Sequence, residues 1–271
     1  MAFLDRADAR LYYEVCGDGS PVLFIQGIGV IGAGWKYQTD TLCEEFQCLS
    51  FDNRGIGQST STATSLTVEQ MAQDALALMD AQGWEKAHVV GHSMGGAIAQ
   101  ALALAAPERV KSLSFLCTFA KGSQGARMTP DVIKMGLRTR IGTRTMRRHA
   151  FMEMLFSPEY LAEHPTDQLA TDLIPVIGRD VADSPPVLMK QLQALGVYDG
   201  SAQLGQLAHI PTLVVSGELD PIALPEFGVQ LAALIPGACY VDVPRTAHGV
   251  IIQDPVGTNT LLRDHFRAAS A

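Results

Sequence analysis

At 271 residues the chain is long enough to bury one large α/β core or two small ones, and 47% apolar with 18% charged residues excludes a disordered chain. Its 28 acidic and 20 basic residues leave a formal charge of −8, which disfavours nucleic acid and anionic membrane and points to a small-molecule substrate. Five cysteines (Cys16, Cys43, Cys48, Cys117, Cys239) are odd in number and scattered without a Cys-x-x-Cys pair. They suggest neither a disulfide framework nor a zinc site, and most are expected to be small buried apolar residues.

Charges run through residues 1–20 (Asp5, Arg6, Asp8, Arg10, Glu14, Asp18), so that stretch offers no apolar centre for a signal peptide. The uncharged stretch 87–107 contains Gly91-His92-Ser93-Met94-Gly95-Gly96 and reads as strand, turn and helix rather than a membrane span. A soluble, cytoplasmic protein is expected, of unspecified oligomeric state.

Residues 10–15 alternate like an early strand, and 22–26, 48–51 and 88–90 are short apolar runs ending at Gly or Asp turns. Helical patterning occupies 35–46, 68–82 and 97–106, with another strand at 110–116. This alternation predicts a mostly parallel sheet flanked by helices. It breaks after Phe119 and resumes with strands at 212–216 and 240–243 and helices at 226–234 and 256–268. Between them, Pro130, Pro158, Pro165, Pro175, Pro185 and Pro186 break short helices. The expectation is a core of residues 1–121 and 206–271 carrying a helical cap at 122–205.

Ser93 stands where a buried strand gives way to an uncharged helix, in the pattern Gly-x-Ser-x-Gly. A serine on so sharp a turn is strained, and Gly91 and Gly95 would relieve crowding around it, while Gly96 lets the helix approach the sheet. The helix N-terminus places the Met94 N–H beside the serine, where it can stabilise an oxyanion. The bland alternative is a glycine-rich turn with an incidental serine. Position between strand and helix favours the functional reading.

With these residues the sequence resembles the α/β-hydrolase family over nearly its whole length outside the insertion. In that family a strand followed by His-Gly-x-Gly supplies a second oxyanion donor. Here the stretch is Gln26-Gly27-Ile28-Gly29, which makes Ile28 N–H the partner of Met94 and sets Gly27 and Gly29 against the substrate. Gln26 departs from the family histidine. Residues 51–59, with Asp52, Arg54, Gly55, Gly57 and Ser59, look like the family's Asp-x-Arg-Gly-x-Gly-x-Ser turn, whose role is structural.

A serine hydroxyl needs a base to take its proton and a carboxylate to orient that base. Asp220 follows the strand ending at Ser216-Gly217, and His248 follows the next strand, giving the order Ser, Asp, His. His92 neighbours Ser93 on the same turn, so its side chain is expected to point away from it. Glu218 and Asp242 are rival acids; the resemblance favours Asp220.

A competing pattern lies at Gly27-Ile28-Gly29-Val30-Ile31-Gly32, a full Gly-x-Gly-x-x-Gly match after a strand, with Asp52 at 52 − 32 = 20 residues beyond. That is dinucleotide-binding spacing. A nicotinamide-dependent oxidoreductase is the weakest reading, because it leaves Ser93, Asp220 and His248 unexplained.

The resemblance implies two-step ester hydrolysis without metal or organic cofactor, that is, a serine carboxylesterase. Serine at position 93 disfavours members with an aspartate nucleophile, such as haloalkane dehalogenases and epoxide hydrolases. Lactonases resembling 3-oxoadipate enol-lactonase, amidases, thioesterases and carbon–carbon bond hydrolases share the triad, and a small-molecule sensor with slow turnover is the alternative of another class. In the insertion, Met128, Met135, Met146, Phe151, Met152, Met154, Leu155 and Phe156 are candidates for an acyl pocket or for glue beneath the cap. The basic run Lys134, Arg138, Arg140, Arg144, Arg147 and Arg148 reads as a solvated face, or as one or two arginines turned toward a substrate carboxylate, as an enol-lactonase would require.

Overall fold

The short apolar runs become strands of one sheet. A computed structural model describes residues 2–125 and 130–270, the side chains of 130–132 excepted. The strands are β1 (Ala2–Asp5), β2 (Ala9–Cys16), β3 (Ser20–Ile25), β4 (Phe46–Phe51), β5 (Thr60–Ser61), β6 (Ala87–His92), β7 (Val110–Leu116), β8 (Thr212–Gly217) and β9 (Cys239–Val243). Their order is β1-β2-β4-β3-β6-β7-β8-β9, with β5 paired to β2. β1, β2 and β4 pair antiparallel, and every ladder from β4 through β3 to β9 is parallel. β1 and β5 were not foreseen, since four half-exposed residues and a pair of residues carry too little pattern to register.

The helices are α1 (Lys36–Leu42), α2 (Val68–Ala81), α3 (Met94–Ala105), α4 (Gly122–Gly125), α5 (Pro130–Arg138), α6 (Arg144–Leu155), α7 (Pro158–Glu163), α8 (Thr166–Asp172), α9 (Ile174–Ile177), α10 (Val187–Val197), α11 (Pro225–Leu234), α12 (Val250–Gln253) and α13 (Pro255–Ser270). Alternation along β3 sends Leu23 and Ile25 to one face, where α2, α3 and α11 supply Met71, Ile98 and Phe227. Val22 and Phe24 go to the other, against Leu42, Leu262 and Phe266 of α1 and α13. A sheet buried on both faces positions loop residues at its carboxyl edge with little play.

Two helix boundaries differ from expectation. Gly32–Trp35 forms a separate 3-10 turn, and Phe46 already belongs to β4, so the helix expected over 35–46 shrinks to α1. α3 begins at Met94, three residues before the expected 97, because Gly95 and Gly96, poor helix formers, lie inside its first turn. Between β7 and β8 the described residues are helical, α4 to α10. There the prolines mostly start helices: Pro130 and Pro158 open α5 and α7, while Pro165 and Pro186 sit at the N-caps of α8 and α10. Among the described residues no helix is long and apolar enough to cross a membrane. All five cysteines are free, but only Cys48 and Cys117 are buried.

The turn after β4 is held by charge. Arg54 and Asp74 on α2 are 3% and 2% exposed, with Arg54 Nη2 donating to Asp74 Oδ1 at 2.8 Å and Nη1 to Asp8 Oδ1 at 2.7 Å. Truncating one partner strands the other's charge, so Asp74→Ala is expected to cost about 3–5 kcal/mol in urea unfolding.

Two buried histidines make stability depend on pH. Burial holds His88, whose Nδ1 meets Ser112 Oγ at 2.8 Å, and His92 down to a pKa of about 3 from the ordinary 6.5. Because the unfolded chain takes up these protons first, this stability is complete above pH 6.5 and drains as pH falls toward 3. Between pH 7 and pH 5 each such histidine is expected to remove about 2 kcal/mol. Urea titrations should therefore show a shallower pH dependence for His88→Gln than for the parent.

Candidate active site

Among the described residues three non-glycine residues occupy the left-handed region, and all follow the carboxyl ends of strands: Ser93 (φ 54°) after β6, Cys117 (φ 47°) after β7 and Arg245 (φ 58°) after β9. Strain of this kind persists only where surrounding structure enforces it. At Ser93 the enforcement is glycine packing. A Cβ on Gly95 would lie 2.0 Å from Ile25 O, one on Gly91 2.3 Å from Gly95 O, and one on Gly96 2.5 Å from the Thr118 side chain. Gly91 and Gly95 thus relieve contact with each other and with β3, rather than crowding at Ser93 itself.

Asp220, 2% exposed, lies after β8, and His248, 5% exposed, lies after β9. His248 Nδ1 meets Asp220 Oδ2 at 2.7 Å, while Asp220 Oδ1 accepts the N–H groups of Ile222 (2.8 Å) and Ala223 (2.9 Å). A carboxylate accepts only, so Nδ1 carries the imidazole proton and Nε2 is left as the free base. The rival acids are elsewhere. Glu218 is exposed and accepts the N–H of left-handed Arg245 at 2.8 Å, and Asp242 is exposed on β9.

The loop after β3 reaches the same place. A Cβ on Gly27 would lie 3.0 Å from Ser93 Cβ, so Gly27 permits the loop to touch the serine turn. Gln26 braces it: its Oε1 accepts Gly27 N–H at 2.8 Å, and its carbonyl accepts Asn53 Nδ2 at 3.0 Å. The N–H groups of Ile28 and Met94 have no acceptor among the described residues.

Residues 20–255 match the sequence model of the family described as alpha/beta hydrolase fold. The chain belongs to that family. It is 30% identical to a protein of Azorhizobium caulinodans bearing the name carbamate hydrolase RutD, over 97% of each chain. It is 29% identical to one of Mycobacterium tuberculosis named non-heme bromoperoxidase BpoC, over 97% of this chain and 99% of that one. The solved thermophilic esterase from Thermogutta terrifontis superposes with a TM-score of 0.80 at 26% identity, covering 97% of this chain and 95% of the other.

In this hydrolase Ser93, His248, Gly27 and Ile28 line one cavity of about 300 Å³, at the small end of ligand sites. The helical insertion between β7 and β8 contributes Met135, Phe151, Met154, Leu155 and Leu188 to its lining. The insertion's apolar residues therefore divide. Met152 and Phe156 instead join Leu173 and Ile177 in the cap's own core, Met146 is exposed, and Met128 lies outside the described residues.

Gly29 does not line the cavity. Its N–H donates to Gln191 Oε1 of α10 at 2.9 Å, its carbonyl accepts Arg179 Nη1, and at φ 69° a Cβ there would strike Leu188 at 2.3 Å. Its service is to clamp the Ile28 loop to the helical insertion, a role invisible to local pattern because Arg179 and Gln191 lie 150 and 162 residues away. A second clamp joins the cap to the His248 loop, where Gly249 N–H donates to Leu155 O at 2.7 Å and Gln253 Nε2 bonds both Ser157 Oγ and Arg245 O at 2.8 Å.

His92 is tied to the His248 loop. Its Nε2 lies 2.8 Å from the His248 carbonyl, its ring is 5.0 Å from the His248 ring, and it borders the cavity. A carbonyl accepts only, so Nε2 is protonated, and burial keeps the ring neutral. His92, Cys117 and His248 bring possible metal-ligating atoms within 4.8 Å of one another. Of their atoms, His248 Nδ1 is committed to Asp220 and His92 Nε2 to a carbonyl, and burial pushes the Cys117 thiol far above its usual range, away from the thiolate a metal would need. The dinucleotide pattern dissolves similarly. Asp52 spends its carboxylate on Gly32 N–H (2.7 Å) and Gln58 N–H (2.8 Å), and a Cβ on Gly32 would meet the Phe51 backbone at 2.8 Å. Those glycines serve chain packing.

Proposed function

We propose that this hydrolase cleaves carboxylic ester bonds of small substrates through an acyl-enzyme on Ser93. The observation carrying the reading is the 2.7 Å pair of His248 Nδ1 with Asp220, on the wall of a cavity that also holds strained Ser93. His248 Nε2 takes the Ser93 proton as Oγ attacks the carbonyl carbon, and the Ile28 and Met94 N–H groups receive the oxyanion. Collapse returns that proton to the departing alcohol. Water, deprotonated by the same nitrogen, then attacks the acyl carbon and releases the acid and Ser93. Residues 1–121 and 206–271 serve as the catalytic core, and 122–205 as the cap that closes the 300 Å³ cavity to bulky acyl groups.

A carbamate is the second reading, favoured by the 30% identity with the protein named carbamate hydrolase. A panel of nitrophenyl esters of increasing acyl length, run beside a phenyl carbamate, tests both. Turnover of the shortest esters that disappears with Ser93 supports the ester reading. Exclusive turnover of the carbamate replaces it, and ligand binding without turnover of either favours a sensor.

A further inference from the structure

The described arginines of the cap divide into two sets of three. Arg138 bonds Glu153 at 2.6 and 3.0 Å, while Arg144 and Arg148 share Asp180, and Arg144 also takes Asp183 at 2.9 Å. These three cations are balanced by three acids. Arg140, Arg147 and Arg179 have no carboxylate partner among the described residues. Arg140 Nη2 contacts only the Met189 sulfur at 3.1 Å, and Arg147 Nε is enclosed with no acceptor. Arg179 donates to two backbone carbonyls, of Gly29 and Asp183.

The unbalanced set is the set that lines cavities. Arg179 and Arg140 border the chamber holding Ser93. Arg140 and Arg147 border a neighbouring cavity of about 510 Å³, which shares Arg140, Asp183, Ser184 and Leu188 with the first. Asp183 also faces both, but its carboxylate is taken by Arg144. Guanidinium groups without counter-ions beside a mostly apolar chamber are stabilised when an anion arrives. Burial pushes the Arg179 guanidinium below its ordinary pKa, and the nearby Asp183 charge opposes that shift without forming an ion pair with it.

We infer that the cavity takes acyl substrates bearing a second, anionic group, a carboxylate held by Arg179 and Arg140 and drawn in past Arg147. Because Arg179 is bonded to Gly29, the residue after Ile28, this carboxylate sits only a few bonds from the scissile carbonyl, as in a short dicarboxylic monoester. The inference rests on the ester-hydrolase reading for its chemistry but not for its binding site.

Hydrolysis of monomethyl succinate and of methyl butyrate, which share an acyl length, is followed by proton release. The anionic ester is expected to have a kcat/KM roughly 10- to 100-fold higher. Arg140→Gln and Arg179→Gln are each expected to shrink that ratio about tenfold. The ratio is the readout because Arg179 also supports the Gly29 loop, whose loss slows both esters alike. A ratio of one or less, or one unchanged in both variants, overturns the inference. Calorimetry of succinate with Ser93→Ala reads the site without turnover: saturable binding, weakened about tenfold by added Arg179→Gln, supports it, and absence of binding overturns it. Succinate binding with neither ester hydrolysed would sink the ester reading and leave the anion site standing.

Discussion

The Ser93→Ala variant is expected to lose about 10⁴- to 10⁶-fold in kcat on short esters while folding as the parent does. Ser93 makes no side-chain cap to α3, and its N–H and carbonyl are bonded through the backbone, to Leu116 O at 3.0 Å and from Thr118 Oγ1 at 2.7 Å. Removing Oγ therefore costs the fold little. The backbone strain offers a second measurement. Alanine retains the cost of φ 54°, but glycine does not, so Ser93→Gly should be about 1 kcal/mol more stable than Ser93→Ala and equally inactive. Initial rates beside urea titrations check both statements. An active Ser93→Ala protein would remove the acyl-enzyme from the mechanism.

Asp220→Asn is expected to reduce kcat by about 10³- to 10⁴-fold with little change in KM. The substitution is nearly isosteric, and the amide oxygen can still accept from Ile222 and Ala223, so the loop after β8 keeps its anchor. The amide nitrogen then faces His248 Nδ1 as a donor. His248 is driven to the tautomer with its proton on Nε2, the nitrogen needed to receive the Ser93 proton. Glu218→Gln is the control. Glu218 holds only the Arg245 N–H among the described contacts, so its loss should leave kcat within a few-fold of the parent. Comparable damage in both variants would show that either acid can orient the histidine.

Both predictions concern residues marked by local pattern, with the family resemblance choosing Asp220 over Glu218 and Asp242. Ser93 was readable because its glycines at 91, 95 and 96 answer a local constraint, although the atoms those glycines avoid belong to β3 and to Thr118. Asp220 and His248 were readable because each follows a short buried strand at the same sheet edge, and parallel strands deliver such loops to one place. The partner of His92 is not legible in the same way, since the His248 carbonyl that its Nε2 meets lies 156 residues along the chain.

The cap was the least readable region. Its prolines mark helix boundaries, but Pro158, Pro165 and Pro186 stand at helix starts, a position that pattern alone does not distinguish from a break. Its methionines and phenylalanines look alike in sequence, yet some line the cavity and some form the cap's private core. Periodicity tells a buried face from an exposed one, but it does not tell which buried face meets a ligand.

The central strands and the residues at their ends were therefore determined by chain pattern, because hydrophobic alternation and turn glycines are short-range requirements, whereas the order of the strands in the sheet is a tertiary fact. The three-way balance of charge in the cap was decided only in three dimensions. Arg138, Arg140, Arg144, Arg147 and Arg148 form one undifferentiated basic run, and Arg179 stands apart from it. Which of them are cancelled depends on acids 15 to 39 residues distant that folding brings alongside. The strand-end serine, aspartate and histidine belong to short-range pattern, and the pairing of the arginines to long-range packing.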